Sequence, residues 1–358
     1  MENMDQQPKT GGETSEKKLV MAKEKLNLKM FAYGFIGLIV VAVLILGGTA
    51  SYRVYAKEAN DTFTVTVAKV LRLPAAKLDD KVILYSDYIT DVEALKVYRT
   101  YITKSAQASG QEVKITDKQI SQDAMFRLID NILVKKLATQ YGVDYSQADV
   151  DTAKSSILSQ FTTTAEAENG IKGMFGWDLD TYANRIIAPG VLKSNLQNKM
   201  KEISKTESEK VLKQIKDGSD FSAMAKKYGA DATKDTGGDL GWFGDGDMVP
   251  AFETAVKALK KSELAVSPVE TNYGYHIVKL TDYKTVTSTS STNPGIMEQY
   301  KASHILFPLD VNYYLDKKIR EVKFKLYLSI DNPLDAILKS AETTTASTST
   351  STTTTSEN

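Results

Sequence analysis

Met30–Ala50 (MFAYGFIGLIVVAVLILGGTA) runs for 21 residues without a charge. As a helix rising about 1.5 Å per residue, it is long enough to cross the hydrocarbon core of a bilayer. Lys17, Lys18, Lys23, Lys25 and Lys29 precede it, and Arg53 and Lys57 follow. The lysine excess on the N-terminal side keeps that end in the cytoplasm. The competing reading is a cleaved signal peptide, with Gly48 and Ala50 as small residues at the cleavage site, but the run is longer than the usual apolar core of a signal. Residues 1–29 therefore read as a polar cytoplasmic tail and 30–52 as a single-pass anchor in the cell membrane. Everything after about residue 51 is expected on the extracytoplasmic face.

Composition narrows the chemistry. The 358 residues suffice for two modest domains with real cores. Lys+Arg and Asp+Glu are equal at 45 each, so there is no basic surplus for nucleic acid. There is no cysteine, which excludes thiolate nucleophiles, disulfides and zinc–thiolate sites. Asp239, Asp245 and Asp247 lack the spacing of a calcium loop, and neither G-x-S-x-G nor H-E-x-x-H is present. No metal or cofactor is expected. Imidazole chemistry has only His276 and His304 to draw on.

Along the chain, Thr62–Val67 alternates Thr with Phe63, Val65 and Val67, which predicts a strand. After the apolar Val82–Tyr85, Ser86 is placed to cap a helix running to about Thr100. Thr116 and Gln119 have capping-box spacing, and Met125, Leu128, Ile129, Ile132, Leu133 and Leu137 follow on one helical face, with Gly142 placed to end it. Ser146 caps a further helix. A third begins near Asp178, breaks at Pro189–Gly190 and resumes. Thr206 and Glu209 give a second capping-box spacing, and Asp220 caps a short helix. Val266–Thr271 and Tyr275–Leu280 read as two strands and Thr285–Thr292 as a solvated loop. Lys301–Phe307 suits a buried strand. Val322–Ile330 alternates with one wet face and is expected to pair with Thr62–Val67. Thr343–Ser356 is Ser/Thr low complexity, expected to be disordered.

The densest stretch is Gly237–Phe252 (GGDLGWFGDGDMVPAF). Its glycines permit a tight turn, Leu240, Trp242 and Phe243 are apolar, and Pro250 suits the first turn of a helix. Together they can build one wall of a small apolar pocket. With DFSAMAKKYGAD before it and SPVETNYGYHIVKL after it, this stretch resembles the parvulin type of peptidyl-prolyl isomerase, in order and spacing, from Thr206 to Tyr283. More loosely, LIDNILVKKLATQYGVDYSQADV and GWDLDTYANRI resemble the chaperone region of SurA-like and PrsA-like foldases. The resemblance implies an α+β chain: a transmembrane helix, a mainly helical SurA-N-like chaperone lobe over 56–205, and a parvulin domain (an FKBP-like superfold) with a four-stranded antiparallel sheet over 206–307. Residues 308–342 would return to the chaperone lobe, and 343–358 form the tail.

One part of the parvulin pattern is displaced. The family's opening A-x-H-I-L strand is missing before Thr206, and ASHIL stands instead at Ala302–Leu306, past a linker at 284–300. This implies a circularly permuted domain, which is tolerated where termini lie close together. The competing reading is a second, truncated parvulin domain, but no second GGDLGWF or GYHI follows.

By resemblance, Leu240, Met248 and Phe252 form a proline slot. His276 and His304 form paired imidazoles with Thr271 as hydrogen-bond partner, and Asp231 lies near the twisting carbonyl. The histidines would orient the site and set its polarity. The implied function is a membrane-anchored extracytoplasmic isomerase and foldase for unfolded or partly folded exported polypeptides with X-Pro bonds. The alternative is a non-catalytic holdase that keeps a degenerate parvulin fold.

Overall fold

The computed structural model describes residues 28–288 and 295–335. Outside these residues lie the polar tail before Leu28, residues 289–294 with the second half of the Ser/Thr-rich stretch 285–292, and residues 336–358 with the tail 343–358. The chain is mostly helical, with a four-stranded antiparallel sheet in its second half.

Helix α1 (Leu28–Lys57) carries the apolar run; its Phe35–Lys57 stretch has a mean hydropathy of 2.2 and the length to cross a membrane. Its last turns are part of a core. Ala50 and Val54 are fully buried, and the Tyr55 hydroxyl donates to the Pro74 carbonyl at 3.0 Å.

The expected strand at Thr62–Val67 is instead helix α2 (Thr62–Val70). Asp61 caps it, accepting the Thr64 N–H at 3.1 Å. Arg53 reaches across from α1, donating to Thr64 Oγ1 at 2.7 Å and pairing with Asp61. Thr64 and Ala68, one turn apart, are buried, so contacts at helical spacing override the β preference of Val and Thr.

β1 (Pro74–Leu78) and β2 (Lys81–Leu84) pair antiparallel. Helix α3 (Tyr85–Ala108) outruns the expected end at Thr100. Its N-cap is Leu84, so Ser86 lies inside the helix and caps nothing. Helix α4 (Asp117–Gln140) starts with the expected capping box of Thr116 and Gln119, and Met125, Ile129, Leu133 and Leu137 are buried along it. Helices α5 (Gln147–Leu158, behind Ser146) and α6 (Thr164–Phe175) follow.

Asp178 caps α7 (Leu179–Tyr182). The expected break at Pro189–Gly190 does not occur. A π-turn at Ala183–Ile187 leads straight into α8 (Ala188–Lys216). Proline has no N–H to give the Arg185 carbonyl one turn earlier, and Arg127 Nη1 donates to that carbonyl instead at 2.7 Å. The continuity of α8 also corrects the helix start expected at Thr206, which lies inside it. The first half of α8 puts Leu192, Leu196 and Met200 into the core shared with α3 and α4. Its second half puts Val211 and Leu212 against the sheet. One helix serves two cores.

Helix α9 (Phe221–Tyr228, capped by Asp220), a 3-10 turn (Ala232–Thr236), β3 (Asp239–Phe243) and α10 (Pro250–Lys257, with Pro250 in its first turn) come next. They are followed by β4 (Val269–Glu270), shorter than Val266–Thr271, then β5 (Gly274–Ser288) and β6 (Gly295–Pro308). The sheet order is β3-β6-β5-β4, antiparallel throughout. The segment expected as a linker at 284–300, with its loop at Thr285–Thr292, is in its described part the far half of the β5–β6 hairpin, paired out to Ser288 and Gly295. Side chains alternate across the sheet: Tyr275, Ile277, Ile305 and Phe307 face α8 and α9, while Val278, Leu280, Tyr300 and Ala302 pack with Phe243, Phe252 and Val256.

Helix α11 (Val311–Ile319) and β7 (Phe324–Leu326) return to the first core. β7 pairs with β1, so the pairing expected between Val322–Ile330 and Thr62–Val67 is corrected. Only three residues of that alternating stretch are strand. Gln197 on α8 holds the junction after β6, donating to the Leu309 carbonyl at 2.5 Å and accepting the Val311 N–H at 2.9 Å.

Candidate active site

His276 pairs with Leu306 in the β5–β6 register and His304 with Val278, so the two histidines are diagonal neighbours on one face. Their rings lie nearly parallel at 16°, with Nδ1 to Nδ1 3.0 Å apart. Both are buried, at 5% and 6% exposure. Thr271 Oγ1 lies 2.8 Å from His276 Nε2. Asp231 Oδ2 lies 2.9 Å from His304 Nε2, in a bent contact off the line of the ring N–H. Asp231 Oδ1 accepts the Thr233 hydroxyl at 2.6 Å.

Which atoms donate along this chain depends on the tautomers: with both rings neutral and the His304 proton on Nε2, His304 Nδ1 accepts from His276 Nδ1 and His276 Nε2 accepts from the Thr271 hydroxyl. Burial, reinforced by the neighbouring His304, holds the His276 imidazole down to about 4, so it is neutral. Burial pushes the Asp231 carboxyl up, but the His304 ring and Thr233 more than offset it and leave it at about 2, ionised. All four imidazole nitrogens face partners within the network.

Above the rings is a cavity of about 400 Å³. Phe252 stands edge-on to both imidazoles, with centroids 5.4 Å from His276 and 5.7 Å from His304. Leu240, Met248, Val249 and Leu306 complete the apolar lining. The turn before β3 requires glycine: Gly238 has φ +85°, and a Cβ there would meet the His304 carbonyl oxygen at 2.2 Å.

The structure gathers all seven residues singled out in the sequence. Six of them line the cavity, and Thr271 sits behind His276. Met248 does not owe its place to helical spacing with Phe252, because α10 starts after Val249. Glu253 fixes it, accepting the N–H groups of Gly246 at 2.7 Å and Met248 at 3.0 Å. Glu253, Val249, Tyr273 and Leu306 were missed. Leu306 was within reach, two residues along the strand from His304 and so on the same face. Nothing in the sequence distinguishes Tyr273. Among the described residues, no group of three or more His, Asp or Glu is placed to hold a metal ion.

Comparison with known proteins bears on the family to which the chain belongs. Residues 181–284 match the PPIC-type PPIASE domain, a match that stops short of β6. The foldase protein PrsA of Geobacillus sp. strain WCH70 is 30% identical over 230 residues, 64% of this chain and 77% of that one. This chain belongs to the PrsA foldase family. The PrsA of Geobacillus kaustophilus is 31% identical over 212 residues, covering 59% of this chain and 70% of that relative. The PrsA 2 of Listeria innocua is 31% identical over 207 residues, covering 55% and 64%. Superposition on the crystal structure of PrsA from Bacillus subtilis covers 73% of this chain and 89% of that one at 18% identity; its TM-score of 0.20 is too low to inform the fold. As a PrsA-like foldase with a parvulin-type peptidyl-prolyl isomerase domain, the chain assists protein folding and takes polypeptides as substrates.

Proposed function

We propose that the chain is a membrane-tethered foldase working outside the cytoplasm, that it turns X-Pro bonds of exported polypeptides in the cavity above His276 and His304, and that its isomerase domain is a circular permutant whose opening strand is β6. The observation that carries the catalytic reading is the buried His276–His304 pair with Phe252 edge-on to both rings. The central place of β6 between β3 and β5 supports the permutation. The length and hydropathy of α1, with lysines ahead of it, support the tether.

Rotation about an X-Pro bond crosses a barrier of roughly 20 kcal/mol set by amide resonance, and no bond is broken. The site therefore needs no nucleophile. Leu240, Met248 and Phe252 hold the proline ring in an apolar slot, and the twisted amide, less conjugated than the planar one, is bound more tightly. Three of the four imidazole nitrogens are committed to Thr271 and to each other, with His304 Nε2 beside Asp231, so the rings act as a fixed polar floor whose dipoles count for more in a dry site. They are not placed to exchange protons with substrate. Asp231 supplies a negative charge at the edge of this floor, 2.9 Å from His304 Nε2.

A second groove, of about 440 Å³, lies in the helical lobe and is lined by Val65, Ile89, Val97, Phe175 and Trp177 among others. It favours a holding function beside the catalytic one. The test is X-Pro exchange in a short peptide with the full chain in detergent, beside His304→Gln and Phe252→Leu. The catalytic reading expects wild-type exchange well above the buffer rate and large losses in both variants. A wild-type rate equal to buffer leaves the holdase. Deletion of Lys301–Phe307 tests the permutation: an isomerase domain that stays folded and active without that segment disproves it.

A further inference from the structure

Helix α2 runs back along α1, from Asp61 beside Arg53 to Leu71 beside Gly47. A Cβ on Gly47 would lie 3.3 Å from Leu71 Cδ1. Gly47 is inside the apolar run, three residues before its end at Ala50. At about 1.5 Å per residue, the tip of α2 lies about 4.5 Å inside the end of the apolar run. The residues at this tip are Lys69, Val70, Leu71 and Arg72, all exposed; Val70 is 75% exposed. Phe63 and Val67 precede Val70 on the same helical face, Phe63 being 47% exposed. Tyr52, 61% exposed, sits just past the end of the run on α1.

These residues would be a poor surface in water. Beside a helix that crosses a bilayer they are well placed: apolar side chains at the depth of the acyl boundary, an aromatic ring at the interface, and two cations whose stems can extend toward phosphate headgroups. We propose that the Lys69–Arg72 tip of α2 is a second membrane contact, with Val70 and Leu71 entering the lipid beside Gly47 and Lys69 and Arg72 meeting acidic headgroups. The proposal rests on the membrane-spanning reading of α1. Its consequence is that the helical lobe is seated on the bilayer in a fixed pose. The buried Ala50 and Val54 and the Arg53–Thr64–Asp61 contacts leave no flexible tether between anchor and lobe.

The chain has no cysteine, so single cysteines can be placed freely. We would label Ile39→Cys, Val70→Cys and Val266→Cys in the full chain with a nitrobenzoxadiazole dye, in vesicles of phosphatidylcholine and phosphatidylglycerol. Val266, 81% exposed in the isomerase domain, is the aqueous reference. The labels at 39 and 70 are expected to be blue-shifted and quenched by lipid-borne nitroxide, and the label at 266 to be quenched by iodide. A label at 70 that behaves like 266, with 39 still in lipid, overturns the second contact and leaves the anchor standing. A label at 39 that behaves like 266 overturns the spanning reading and this proposal with it. Lys69→Glu with Arg72→Glu is expected to move the label at 70 toward water; an unchanged spectrum rejects the headgroup contact.

Discussion

Gly238 and His304 are locked backbone to backbone. The His304 N–H donates to the Gly238 carbonyl at 2.9 Å, and the His304 carbonyl oxygen occupies the place a Cβ on Gly238 would need. Gly238→Ala therefore meets both a left-handed backbone and a collision with backbone atoms. It is expected to destabilise the isomerase domain by at least about 2 kcal/mol and to lower kcat/KM by displacing the His304 strand. Urea unfolding and peptide exchange check this, and a variant matching wild type in both would show that the contact yields freely.

Phe252 has two jobs, filling the core and facing the imidazoles. Phe252→Ala empties a position only 3% exposed, and the loss of about 3–5 kcal/mol expected for such a truncation would blur any catalytic reading. Phe252→Leu keeps most of the volume. It is expected to leave the thermal transition within a few degrees of wild type and to reduce exchange at least tenfold. Equal rates in the leucine variant and the wild type would remove the ring from the mechanism.

His276 gives the stability a defined pH dependence. Its folded value of about 4 lies below the ordinary 6.5 because burial disfavours the charged ring. The unfolded chain therefore takes up the proton first. The stability from a neutral, buried His276 is complete above pH 6.5 and is lost as pH falls toward 4. Denaturation midpoints measured across that window should fall for wild type and fall less for His276→Gln. Parallel curves would show that the ring titrates normally in the folded state.

In the helical lobe, Asp91 is fully buried and ion-paired to both Arg127 and Arg185, which also lie over the Trp177 ring, each at 5.8 Å. Asp91→Ala strands the partly buried Arg127 and leaves Arg185 only its pair with Asp87, and it is expected to cost about 3–5 kcal/mol of lobe stability, with peptide exchange per folded molecule unchanged. Denaturation of the full chain reads the first effect and the peptide assay the second. A loss below about 1 kcal/mol would place these charges in water.

The site was more legible in the sequence than the helices around it. Asp231, Leu240, Met248, Phe252, Thr271, His276 and His304 were singled out by the resemblance of their motifs to the parvulin pattern, and the structure brings them together around one cavity. The strand expected at Thr62–Val67 went astray because its alternation satisfies a strand, while the contacts that select a helix, Arg53 to Thr64 and Asp61, come from α1. The helix break expected at Pro189 and the start expected at Thr206 share one cause. Arg127, distant in sequence, supplies the hydrogen bond that proline withholds, and with α8 unbroken, the capping pair at Thr206 and Glu209 has no end to cap. Tyr273 and Glu253 act through a turn and two backbone N–H groups, which leave no periodic mark.

The place of β6 in the sheet also governs when the enzyme can exist. A chain made from its N-terminus releases β3, α10, β4 and β5 before the strand that must lie between β3 and β5. The pair Asp239 and Ser303 meets across 303 − 239 = 64 residues, so β3 waits, unpaired, for most of the domain to be made. His304 arrives with that last strand. The proposed catalytic floor is thus the last piece of the isomerase domain to be made, and a growing chain has no paired imidazoles until β6 has emerged.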